Sequence, residues 1–214
     1  MFYSRDYHRA TKLAGEILLS NGIDAYPINP LRLANQGGVK VVTYAVFSSL
    51  SSVSEQALLA VSGDGFSTGL AGQYLIAYNP AVRPRNRRRW TLLHEYCHIR
   101  LGHVPADGAL VPDYSSKRYL EAEADELTSC LIAPLPVAYL CGVDSAEEFA
   151  RCFGLSGQAA ANAFESYKRY LAMDVPPELG YGAALDRFSR FALAYRRRRD
   201  LARRREHYRN VDVY

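Results

Sequence analysis

The sequence predicts an α+β chain with a short β-rich segment and a mostly helical last third. Three observations carry that expectation. Apolar residues recur at helical spacing over Tyr7 to Asn21, and the H-E-x-x-H segment and Leu120 to Leu127 read as two further helices. Two runs, Val39 to Phe47 and Gln73 to Tyr78, are rich in β-branched and aromatic residues. After Pro136 the apolar spacing and the capping residues are helical throughout. With 214 residues, 49% of them hydrophobic, the chain can bury one proper core, or one core and a small appendage.

Taken in order, Tyr7 to Asn21 carries Ala10, Ala14, Leu18 and Leu19 on one helical face and stops at Gly22. Val39 to Phe47 and Gln73 to Tyr78 are the strand candidates, and Gln56 to Val61 reads as a third strand or a short helix. A helix containing Arg89 to Arg100 ends at Leu101-Gly102, where glycine accepts the left-handed conformation. Val104 to Ser116 contains Pro105, Gly108 and Pro112 and reads as a loop. It is long enough for the next helix, around Leu120 to Leu127, to fold back beside the previous one, and Pro134 and Pro136 stop that helix. There is no internal repeat and no low-complexity linker.

The chemistry concentrates in Arg89-Trp90-Thr91-Leu92-Leu93-His94-Glu95-Tyr96-Cys97-His98, an H-E-x-x-H signature. Residues four apart on a helix lie one turn above each other, so His94 and His98 can aim two imidazoles at one ion. Glu95 sits beside that face, within reach of a water on the metal. Zinc takes neutral nitrogen ligands of this kind, and hydrolysis needs a base next to the activated water. Chance placement of five His and eleven Glu would give about 0.006 such motifs, too few to explain this one.

The third ligand decides the class of site. A metzincin places its next His six residues after the second, but that position is Val104, and His103 comes one residue early. The other common solution is a Glu on a second helix, which Leu120-Glu121-Ala122-Glu123-Ala124-Asp125-Glu126-Leu127 supplies. Glu121 and Asp125 share a helical face while Glu123 projects roughly opposite. Glu121 can therefore ligate zinc, and Asp125 can accept the remaining N–H of a metal-bound His. Glu123 and Glu126 read as a solvated acidic face.

The run from Arg89-Trp90-Thr91 into H-E-x-x-H, then Ile99-Arg100-Leu101-Gly102-His103, E-x-E-A-D and Leu131-Ile132-Ala133-Pro134 resembles the ImmA/IrrE family of metallo-endopeptidases. The resemblance covers roughly Ile23 to Met173. It implies a zincin-like fold, with a short antiparallel-rich sheet packed on the H-E-x-x-H helix and a Glu-bearing helix. It also implies one zinc ion per chain, held by His94, His98 and Glu121, with Glu95 as general base. The implied activity is limited proteolysis of a helix-turn-helix (XRE-type) repressor, relieving repression in a phage, mobile element or stress response. Cys97 stands where the family usually has Gly, and Asp125 where it commonly has Asn. Cys97 reads as a small buried residue in a tight helix contact rather than a sensing thiol. His103, Tyr114 and Tyr119 are candidates for stabilising the oxyanion or contacting substrate.

Composition agrees with an intracellular enzyme. Cys97, Cys130, Cys141 and Cys152 show no paired spacing, and a chain of this size needs no disulfide staples. The first residues lack an apolar signal core. The apolar run from Leu127 to Val143 is too short and too broken by Pro134 and Pro136 to span a bilayer. A soluble, cytoplasmic protein with no membrane partner is expected.

Ser145-Ala146-Glu147-Glu148 is a capping box for a helix that Gly154 ends, and Ser156 caps another running to about Met173. This pair resembles a helix-turn-helix, but Gln158, Asn162 and Lys168 make no strong basic face, so packing is the preferred reading. Leu185, Phe188, Ala192 and Tyr195 then form an apolar stripe. Arg196, Arg197, Arg198, Arg199, Arg203, Arg204 and Arg205 follow, giving residues 196–209 a net +6 in a chain whose total is +4. A solvated helix end is the ordinary reading of such a run, yet charge this dense would also attract nucleic acid or an acidic partner. The expected organisation is a metallopeptidase domain over 1–143, a helical hairpin over 144–174 and a C-terminal helix with its Arg-rich tail over 175–214. A zinc endopeptidase of the Glu-zincin type is the reading that follows. A DNA-binding regulator with structural zinc is the alternative, disfavoured because structural zinc sites are usually closed by four ligands.

Overall fold

A computed structural model describes residues 5–107, 118–172 and 178–211 of the chain. By internal contacts the chain divides into Met1–Ala14 with Ile28–Ile132, and Gly15–Pro27 with Ala133–Tyr214. The first helix, α1 (Arg5–Ser20), therefore contributes to both units, and the hairpin over 144–174 groups with the C-terminal helix.

In the first unit, α2 (Pro30–Gln36) starts with proline behind the Asn29 cap, whose side chain accepts from the amides of Leu31 and Arg32. Strand β1 covers only Lys40–Thr43, because the Thr43 hydroxyl accepts from the Val46 amide and starts α3 (Tyr44–Leu50). The β-branched and aromatic run expected to be one strand is thus cut in half by a helix cap. Tyr44 and Phe47, three apart on α3, then turn together into the core. Gln56 to Val61 lies within a helix, α4 (Glu55–Val61), capped by Ser54. Strands β2 (Gly65–Leu70) and β3 (Gln73–Tyr78) form a hairpin in which Leu70 pairs with Gln73. Its two-residue turn, Ala71-Gly72, has φ of 50° and 72°, the positive pair that a tight hairpin matching strand twist requires.

The sheet order is β1-β3-β2, parallel between β1 and β3 and antiparallel between β2 and β3. The α+β expectation is met, although the antiparallel character is confined to one of the two pairings. Tyr44, Phe47, Leu58, Phe66, Leu75 and Ala77 form a core on this sheet. Helix α5 (Arg85–Arg100) packs on β2 and β3, and α6 (Arg118–Ile132) lies beside α5. Two glycines let β2 approach closely. A Cβ on Gly65 would stand 2.9 Å from Thr91 Cγ2 on α5, and one on Gly69 would overlap the carbonyls of Pro105 and Ala106.

In the second unit, Pro134 ends the preceding helix and caps a new one, α7 (Leu135–Cys141), which stops at Gly142 with φ of 62°. Then come α8 (Ala146–Phe153), α9 (Gly157–Ala172), a 3-10 turn at Gly182–Phe188 and α10 (Ser189–Val211). Ser145 caps α8 through the Glu148 amide, and Gly154 ends it in the left-handed region, as the sequence predicts. Tyr26 meets Phe153 edge-on at 4.9 Å and stacks on Phe188 at 5.4 Å, giving this unit an aromatic core. Leu185, Phe188 and Ala192 of the predicted stripe are buried. Among the described residues no single helix is long and apolar enough to cross a membrane.

Candidate metal centre

Helix α5 carries His94 and His98 one turn apart, and α6 brings Glu121 alongside. His94 Nε2 lies 3.0 Å from His98 Nε2 and 3.2 Å from Glu121 Oε2, and His98 Nε2 lies 3.4 Å from Glu121 Oε1. One ligand atom from each of the three falls within 4.8 Å of the others. Two imidazole nitrogens and a carboxylate converging in this way form a donor set suited to a divalent transition metal. His98 is 1% exposed at its side chain, whereas Glu121 is 42% exposed, so the cluster is closed on the helix side and open towards Glu121. Among the described residues it is the group of His, Cys, Asp and Glu positioned to hold an ion, and it leaves room for a non-protein ligand.

The electrostatics follow from burial. Burial, with His94 and His103 nearby, pushes the His98 pKa down to about 3, which keeps the imidazole neutral and its lone pair available. Burial also opposes charge on His94, but Asp125, Glu95 and Glu121 together carry its pKa above the usual histidine value. His94 Nδ1 lies 3.1 Å from Asp125 Oδ1, yet its N–H is not aligned with that oxygen. The contact is close and electrostatic, without the geometry of a full hydrogen bond.

Glu95 is 8% exposed, and burial pushes its carboxyl up to about 7 against the opposing pull of the Ser67 hydroxyl and His94. The Ser67 hydroxyl donates to Glu95 Oε2 over 2.7 Å from the middle of β2. Sequence reasoning missed Ser67. The only signal for it was the alternation in Phe66-Ser67-Thr68, masked by the flanking glycines. Cys97 is fully buried against Thr128, and burial pushes its thiol up to about 12, far from a reactive thiolate.

Two side chains near the cluster have partners that the sequence does not show. His103, a candidate for oxyanion or substrate contact, has a side chain only 5% exposed. Its Nδ1 lies 3.0 Å from His98 Nδ1 and its Nε2 lies 3.2 Å from Glu123 Oε2, so both ring nitrogens are engaged inside the protein. Glu123, read as a solvated acid, joins His103 to Arg9, whose Nη1 lies 3.2 Å from Glu123 Oε1. Glu123 projects away from Glu121 on α6, where its partners arrive from just beyond α5 and from α1.

Tyr119 is 65% exposed and lines a groove of about 360 Å³ with Arg9, Leu101, Glu123 and Glu126, on the Glu123 face of α6. Tyr114 lies outside the described residues. The Arg-rich tail is not one uniform surface. Arg196 donates to the Tyr139 carbonyl, and Arg199 to the carbonyls of Cys141 and Gly142 at the end of α7. Arg203 Nη2 lies 2.7 Å from Asp144 Oδ2 and 2.8 Å from Glu148 Oε1, and Arg199 Nη1 lies 3.6 Å from Glu148 Oε2. Glu148 is 1% exposed, so these two guanidiniums neutralise a buried carboxylate. Arg197, Arg198, Arg204 and Arg205 are exposed.

The family model Peptidase_M78, described as the IrrE N-terminal-like domain, matches residues 53–165, just over half of the chain. The match spans α5, α6 and all three metal-binding side chains. No curated protein matches the chain.

Proposed function

The chain belongs to the Peptidase_M78 family of IrrE N-terminal-like metallopeptidases, and from that premise we propose that it is a zinc-dependent endopeptidase making limited cuts in a helix-turn-helix repressor. The observation that carries the reading is the convergence of His94, His98 and Glu121, with the buried Glu95 beside them and one side open. Zinc bound by these three side chains would supply Lewis acidity, lowering the pKa of a water and polarising a peptide carbonyl.

Everything else in the reaction falls to this chain's own groups. Glu95 takes the proton of the attacking water and returns it to the leaving amine. Its burial beside the three ligand side chains, with one oxygen held by Ser67, places it for that double role. Ser67 occupies Glu95 Oε2 and so fixes the rotation of the carboxylate. Asp125 beside His94 Nδ1 favours a proton on that nitrogen and leaves Nε2 for the metal.

The substrate follows from the family rather than from a feature of the cleft. A folded repressor cut once or a few times, at an accessible segment, relieves repression of its genes. Arg197, Arg198, Arg204 and Arg205 give the tail a remaining basic surface for the repressor's DNA or an acidic face of the repressor. All four cysteines are buried and none forms a disulfide, which agrees with a reducing cytoplasm.

The test is incubation of the zinc-loaded protein with the repressor encoded beside its own gene, with Glu95→Gln as control. One or a few discrete fragments from the wild type and none from the variant are expected. General digestion of unfolded protein, or an intact repressor throughout, contradicts the proposal.

A further inference from the structure

A line of contacts leads from His98 away from the metal position. His98 Nδ1 lies 3.0 Å from His103 Nδ1, His103 Nε2 lies 3.2 Å from Glu123 Oε2, and Glu123 Oε1 lies 3.2 Å from Arg9 Nη1. Both imidazoles are enclosed, His98 being 1% and His103 5% exposed at the side chain.

Hydrogen-bond bookkeeping fixes the protons along this line. A carboxylate only accepts, so Glu123 calls for the proton on His103 Nε2. A neutral imidazole protonated at Nε2 presents a lone pair at Nδ1. The hydrogen in the contact between the two rings then belongs to His98 Nδ1. With its proton there, His98 keeps a lone pair on Nε2, the atom that faces His94 Nε2 and Glu121 Oε1. The opposite arrangement, with His103 donating from Nδ1, would put the His98 proton on Nε2 and block the metal.

We propose that His103, set by Glu123 and Arg9, is a positioning residue that holds His98 as its Nδ1–H tautomer, so that Nε2 is presented before the metal arrives. The two ligand histidines are supported unequally. His94 leans on Asp125, a carboxylate that is 58% exposed and off the N–H line, whereas His98 is held by a buried ring. His98 is the preordered anchor of the site. Arg9, 65% exposed, adds only a weak outer contact.

The inference rests on reading the cluster as a metal site, and the test separates the two. Imidazole nitrogen–proton NMR correlations on the metal-free full chain report the His98 tautomer without any metal or substrate. The relay requires the proton at Nδ1, and a proton at Nε2 overturns it. Zinc affinity is then measured by chelator competition for His103→Phe, His103→Gln, Glu123→Gln and Arg9→Ala. His103→Phe fills the space without an acceptor and is expected to weaken zinc binding by about 10- to 100-fold. His103→Gln, whose amide oxygen can accept, recovers part of that loss, Glu123→Gln shows a smaller loss, and Arg9→Ala stays within about twofold. Wild-type affinity in His103→Phe overturns the relay. If that variant unfolds, the wild-type tautomer and Glu123→Gln decide in its place. A wild type that binds no zinc refutes the metal site itself, while the tautomer measurement still judges the relay.

Discussion

Replacing Glu95 by Gln in the metal-stripped protein tests the electrostatics of the site without any substrate. Burial raises the Glu95 pKa from 4.5 to about 7 in the folded state. A carboxyl whose folded pKa lies above its unfolded value binds its proton more tightly when folded. The stability it contributes is therefore complete below about pH 4.5 and is lost as pH rises through about 7. The span between 4.5 and about 7, at ~1.36 kcal/mol per pH unit, amounts to about 3 kcal/mol. Glu95 is 8% exposed, so solvent screening takes little from this figure. Gln keeps the size, keeps an acceptor for Ser67 and does not titrate. Urea unfolding with chelator present, on both proteins from pH 4 to pH 8, gives the difference between them, and groups common to both cancel. Glu95→Gln should gain about 3 kcal/mol relative to wild type across that range. A difference that stays flat, or one that favours wild type as pH rises, refutes the account of a carboxyl charged against burial.

Ser67→Ala removes a hydrogen bond to a charged group, worth ~1.5–3 kcal/mol, and should lower kcat/KM about 10- to 100-fold while zinc content stays at the wild-type level. Steady-state cleavage with metal analysis checks it, and an unchanged kcat/KM removes Ser67 from the machinery. Arg199→Ala strips one partner from the buried Glu148 and uncaps α7, so it should cost about 3 kcal/mol in urea unfolding. Exposed Arg204→Ala should stay within about 0.5 kcal/mol. Replacing Arg197, Arg198, Arg204 and Arg205 together should leave the fold intact and reduce the salt dependence of binding to repressor–DNA complexes. The log–log slope falls by about 0.9 for each phosphate that is no longer neutralised, and an unchanged slope assigns these arginines to solvent.

The metal site was legible because its information is local. H-E-x-x-H encodes two candidate ligands and a candidate base in five residues, and the four-residue step from Glu121 to Asp125 encodes a shared face. What stayed hidden depends on contacts distant in sequence. Strand β2 escaped because Gly65 and Gly69 read as breakers, although their missing side chains are what let the strand lie against Thr91 and the carbonyls of Pro105 and Ala106. Ser67 was lost with the strand. The prolines at 134 and 136 signal a stop in the sequence, and they also begin α7, because proline suits a helix's first turn. The arginine run read as undivided charge, yet Arg196, Arg199 and Arg203 recur at helical spacing and turn onto α7 and Glu148. Glu148 likewise contributes its amide to the Ser145 cap while its carboxylate serves those arginines, which a local capping box does not foresee.

Zinc content measured beside cleavage on one set of variants decides whether His94, His98, Glu121 and Glu95 make a hydrolytic metal site. About one zinc per chain is expected in the wild type, with loss of metal in His94→Ala and Glu121→Ala and a Glu95→Gln variant that keeps its zinc but cuts nothing. Full cleavage by Glu95→Gln, or zinc retained without Glu121 but lost without Glu123, contradicts that assignment.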